Sequence, residues 1–86
     1  MPTPNIICKD YQHDKTEPAT DEQMSNFFGN EEMTAREKTI RINEVIKPMG
    51  WTLGSIGQAE HLRDDGNGCL VKTTISQTVR WIANQI

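Results

Sequence analysis

Four residues carry the side chains that most often hold zinc: Cys8, His13, His61 and Cys69. Compact zinc modules bring ligands in close pairs, and no two of these four sit at such an interval. No metal site is expected from them, and His61 reads as a surface residue near a helix end. Glu31, Glu32 and Glu37 are candidate general acids by type alone. They cluster where a helix opens, and there a carboxylate complements the helix dipole for structural reasons. Gly50, Gly54 and Gly57 match neither the phosphate-binding loop nor the dinucleotide fingerprint, and no nucleophile elbow is present. "DDGNG" (64–68) lacks the ligand spacing and closing glutamate of a calcium loop and reads as a solvated turn. Neither catalysis nor a cofactor is expected.

Binding has more support. In "RINEVIKPMGWTLGSIGQ" (41–58), Ile42, Ile46, Met49, Leu53 and Ile56 recur at the three- and four-residue spacings of a helix that packs on another helix. Pro48, Gly50, Gly54 and Gly57 oppose helix within the same stretch. On the helical reading Asn43, Gly50 and Gly57 share one line beside that seam, where glycine lets a partner backbone or a planar ligand come close. Lys47 lies one helical step off the line, with Arg41 and Arg36 nearby in sequence. Cation, amide and glycine together suit a compact anionic ligand such as a nucleotide phosphate. Tight helix packing is the other use of the same glycines.

These residues must be positioned by elements whose limits the sequence marks. Residues 1–19 hold three prolines and no periodicity, so they read as an extended or flexible arm, with Ile6, Ile7 and Tyr11 as docking points. Thr20 with Gln23, and Thr34 with Glu37, are two capping boxes. The first opens a short helix at about residues 21–28, closed by Gly29. The second opens a long helix, kinked at Pro48, that ends near His61 or Leu62. Val71, Ile75, Val79, Ile82 and Ile86 then give helical spacing to the C-terminal segment. Its β-branched residues support the alternative, a strand at 69–75 followed by a helix capped by Ser76. The expected fold is therefore all-α: a short N-terminal helix plus an antiparallel hairpin of two longer helices, in one small domain over residues 20–86.

Eighty-six residues bury a thin core, and self-association is the expected source of further buried area. Trp51 and Trp81 lie off the apolar stripes and suggest a second buried surface, between protomers or over a ligand. The two cysteines read as free thiols, a single Cys8–Cys69 bridge being the lesser alternative. A net charge of −3 argues against a general nucleic-acid binder. No apolar run reaches the ~18–20 residues that span a bilayer, and "MPTPNIICKD" lacks the features of a secretory signal. A cytoplasmic protein is expected.

"NEVIKPMGWTLGSI" resembles the helix signature of the small phage-encoded cyclic-nucleotide sponges that counter CBASS defence. Met33, Thr34 and Glu37 resemble that signature's helix start, followed by Asn43, Glu44, Ile46, Lys47, Gly50, Leu53 and Gly54. "TTISQTVRWIA" is similar to the family's final helix at Thr73, Ile75, Gln77, Val79 and Ile82. The resemblance, over about residues 29–86, implies a helical hexamer that sequesters cyclic di- and trinucleotides at protomer interfaces without cleaving them. It implies that Lys47 contacts ligand. The family's stacking tyrosine falls on Asn30, which leaves Phe27, Phe28 or Tyr11 to supply a ring, and its C-terminal arginine falls near Asn84.

The leading expectation is a non-enzymatic, phage-type, homo-oligomeric protein that sequesters a cyclic-nucleotide signal in the host cell. Its ligand residues would be Lys47, Asn43, Gly50, Arg41, Phe28 and Tyr11. The alternative is a small acidic inhibitor that binds a host protein directly, motivated by exposed Trp51 and Trp81, the negative charge and the flexible arm. A third reading, a winged or helix-turn-helix DNA binder, requires residues 51–56 and 69–75 to be strands.

Overall fold

Both capping boxes form as their sequences predict. In the computed structural model, which describes residues 17–29, 31–66 and 68–85, the Thr20 side chain accepts from the Gln23 N–H while the Gln23 side chain accepts from the Thr20 N–H. The helix they open, α1, spans Asp21–Phe28. Thr34 and Glu37 make the same reciprocal pair at the start of α2, Ala35–Ile46. Each box satisfies two N–H groups that a helix terminus otherwise leaves without partners.

Beyond Ile46 the all-α expectation fails. Helix α2 gives way to a single 3-10 turn, Lys47–Met49, that contains Pro48. Gly50 follows at φ +90°, a left-handed conformation open to glycine at little cost. The chain then runs as three strands: β1, Trp51–Ile56; β2, Ala59–Asp64; and β3, Cys69–Thr73. They form one antiparallel sheet in the order β1-β2-β3. Helix α3, Ile75–Gln85, closes the fold. The architecture is α+β, not all-α, and neither the long kinked helix nor the helical hairpin exists.

Local chemistry explains each departure. Pro48 lacks the N–H that would continue α2, so the proline that was expected to kink a helix instead follows its end. Gly57 and Gln58 join β1 to β2 in a two-residue turn, with Gly57 at φ +65° in the first position as a type II′ turn requires. Between β2 and β3, the Asp64 carboxylate accepts from the Gly66 N–H and the Asp64 carbonyl from the Gly68 N–H. The "DDGNG" turn is therefore real. The strand-then-helix alternative at the C-terminus holds in outline, but Thr74 is the cap: its hydroxyl accepts from the Gln77 N–H, and Gln77 reciprocates.

One face of the sheet packs against the helices. The register aligns Leu53, Leu62 and Val71 in a single row, all buried. They join Ile42 and Ile46 from α2, Val79, Trp81 and Ile82 from α3, and Phe28 from α1 in one core. Trp51 and Trp81 meet edge to face within this layer, ring centroids 5.4 Å apart. Trp81 is only 7% exposed, so it does not form a separate outer surface. The stripe read across residues 42–56 thus joins two patterns: Ile42 and Ile46 are buried from a helix, Leu53 from a strand, while Met49 and Ile56 are exposed.

Cys69 is disulfide-bonded, which overturns the free-thiol reading. Cys8 and the rest of the arm through residue 16 lie outside the described residues; Ala19 is tied down by its N–H, which donates to the Ser76 carbonyl. No helix among the described residues is long and apolar enough to cross a membrane.

Candidate ligand-binding face

Strand alternation sends one set of side chains into the core and the other to the opposite face of the sheet. The outward set is Thr52, Gly54 and Ile56 from β1, Ala59, His61 and Arg63 from β2, and Leu70 and Lys72 from β3. It includes three basic side chains and no carboxylate. A carboxylate does reach this face from the turn after β2, that of Asp65, which contacts Thr52 and Arg63.

Two cross-strand rows build the site. Gly54 lies opposite His61, which lies opposite Lys72; Thr52 lies opposite Arg63, which lies opposite Leu70. Thr52, Gly54, His61, Arg63 and Leu70 of these rows, with Ser55 and Ile56 at the strand end, line an open cleft of about 220 Å³, and Lys72 stands outside that lining. Ile56 is 56% exposed and forms an apolar wall.

The polar groups are held in place by short contacts. Asp65, in the turn after β2, accepts from the Thr52 hydroxyl at 3.2 Å and pairs with Arg63 Nε at 2.9 Å. Both partners of that ion pair are well exposed, so it orients Arg63 more than it stabilises the fold. It uses Nε and leaves the terminal guanidinium N–H groups for an anion. His61 Nδ1 lies 3.2 Å from the Ala59 carbonyl. A carbonyl only accepts, so Nδ1 carries the hydrogen and Nε2 is the nitrogen left for a ligand.

Gly54 is the floor. Its φ is not in the left-handed range, and a Cβ placed on it would meet nothing within 4 Å. Neither backbone conformation nor crowding explains a glycine here, and glycine inside a strand costs stability. What it provides is a flat stretch of backbone open to close approach.

The site residues read from the sequence do not converge. Asn43 is committed to the fold: its Nδ2 donates to the Leu53 carbonyl at 2.9 Å and its Oδ1 accepts from the Leu53 N–H at 2.7 Å. Gly50 is the reversal before β1, and its carbonyl accepts from the Asp65 N–H. Phe28 is 7% exposed, edge-on to Phe27 and covered by the Lys38 ammonium 5.5 Å from its centroid. Its faces are not open to a base. Lys47 and Arg41 are exposed, on the 3-10 turn and on α2. Tyr11 lies outside the described residues.

Thr52, His61, Arg63 and Lys72 share a face only in the sheet register; helical readings of the long segment ending near Leu62 and of the segment from Val71 do not bring them together. Two signals marked the sheet: a Gly-first two-residue turn between Ile56 and Ala59, and alternation at Cys69, Val71 and Thr73. Comparison of the chain with protein-family models, with curated proteins and with solved structures gives no match in any of the three.

Proposed function

We propose that this protein is a non-enzymatic binding module whose outer sheet face holds a planar, negatively charged small molecule. One observation carries the reading: Gly54 is left open in the middle of β1, on a face where Arg63 and Lys72 supply cationic side chains and His61 stands directly across from the glycine. A planar ring lies flat on the glycine backbone between Thr52 and Ile56, and an anionic group is met by Arg63 or Lys72.

Cyclic di- and trinucleotides remain the ligand class that combines those features, so the sponge reading persists with its site moved from α2 to the sheet. A cleft of about 220 Å³ lies below the ~300–1,000 Å³ of enclosed small-molecule pockets. It accommodates one ring and its adjoining phosphate, and the remainder of a cyclic nucleotide spreads toward Lys72.

Calorimetry of the protein against a panel of cyclic di- and trinucleotides, with Gly54→Val as control, tests the proposal. Micromolar binding that the valine abolishes supports it. Binding to neither protein, or equally to both, defeats it.

The host-protein reading loses one of its motives, because Trp51 and Trp81 pack on each other, and keeps the net negative charge and the N-terminal arm. The DNA-binding reading gains its strands, but not its surface. Helices α1 and α2 both pack on α3, and the outward face of α2 alternates Arg36, Glu37, Arg41 and Glu44. A mixed face of that kind does not supply the phosphate contacts that drive DNA binding.

A further inference from the structure

Helix α2 turns Ile42 and Ile46 into the core and presents Ile40 on its opposite side. Ile40 sits at the middle of the helix and is 51% exposed. A lone exposed isoleucine is ordinary, but this one lines a cleft of about 220 Å³ with Met33, Glu37, Arg41 and Glu44.

The charges around Ile40 are ordered. Arg36 stands four residues before it and Glu44 four residues after, so the three form one exposed stripe along the helix. Glu37 and Arg41 form a second acid–base couple beside that stripe. Turned end for end about Ile40, the helix sets Glu44 at the level of Arg36 and Arg36 at the level of Glu44. Glu37 then falls within side-chain reach of Arg41. The pattern is complementary to its own reversed copy.

We propose that α2 packs antiparallel against α2 of a second copy of this chain, about a twofold axis at Ile40. Ile40 meets Ile40, and Arg36 and Glu44 pair across the two ends of the contact. The arrangement is isologous, one patch used by both copies. A parallel pairing puts Arg36 on Arg36 and Glu44 on Glu44, and it is repelled. An unrelated partner has no reason to match a charge order that inverts about a single residue. The pairing extends the thin core of an 86-residue chain. It also leaves the outer sheet face open, because α2 lies on the other side of the sheet, so it does not depend on the ligand proposal.

Sedimentation equilibrium across a concentration series of the full chain tests this. The expected result is a mass of twice the 9.8 kDa chain, falling to the monomer for Ile40→Glu. Arg36→Glu and Glu44→Arg, each alone, weaken the dimer by about tenfold or more, and the double variant restores it. All three side chains are exposed, so each variant should fold, which circular dichroism checks. A wild-type monomer throughout overturns the proposal. So does any assembly, with itself or with another protein, that the single charge reversals leave intact.

Discussion

Asn43 grips the backbone of Leu53 with both ends of its amide. Nδ2 donates to the Leu53 carbonyl and Oδ1 accepts from the Leu53 N–H, at 2.9 and 2.7 Å. This is the pair of bonds that a neighbouring strand would make, so one side chain of α2 covers part of the outer edge of β1. The contact joins helix to sheet and blocks that edge locally against pairing with another chain.

Asn43→Ala leaves both Leu53 groups without partners in a half-buried setting. A loss of about 1–3 kcal/mol is expected, read as a lower denaturant midpoint with unchanged slope. Ligand affinity of the folded variant should be unchanged. A variant as stable as wild type would remove Asn43 from its structural role.

Gly54→Val separates stability from binding. A Cβ at this position meets nothing within 4 Å and valine favours strand, so the variant should match or exceed wild-type stability by up to about 1 kcal/mol. Its γ-carbons fill the cleft over the β1 backbone. A variant that melts no lower yet binds no cyclic nucleotide is the expected pair of results; a large loss of stability contradicts the view of Gly54 as open floor.

Leu62 is fully buried at the centre of the central strand, between Leu53 and Val71. Leu62→Ala should cost about 2–5 kcal/mol, a large part of the ~5–15 kcal/mol that holds an ordinary domain. Thermal unfolding followed by circular dichroism measures it, and a drop in midpoint of only a degree or two would place the core elsewhere.

Cys69 should resist alkylation until a reductant is added, because its sulfur is in a disulfide. Peptide mass mapping after iodoacetamide, with and without prior reduction, reads this directly. Reduction should lower stability by about 2–5 kcal/mol, as in other small domains. An alkylated Cys69 in unreduced protein restores the free thiol expected of a reducing cytosol.

The two capping boxes, the limits of α1 and the turn at Asp64–Gly68 were legible because their signals are local. Thr20 with Gln23 and Thr34 with Glu37 need only three residues of context. The sheet was not legible from spacing alone, since Ile42 and Ile46 from α2 happen to run in helical phase with Leu53 from β1. Pro48 and Gly50 mark the end of the helix there, against the helical period. Asn43 was singled out as a polar residue beside glycines, but its use depends on how β1 folds back along α2. The outer face could not be read until the register aligned Gly54 with His61 and Lys72.

Backbone-amide NMR of the protein titrated with a cyclic dinucleotide tests the central claim most directly, because it reports where a ligand sits as well as whether it binds. The account predicts saturable shifts confined to Thr52, Gly54, His61, Arg63, Leu70 and Lys72, weakening as salt screens the basic side chains. Shifts centred on Arg41 and Lys47, or a spectrum unmoved by any nucleotide, would contradict it.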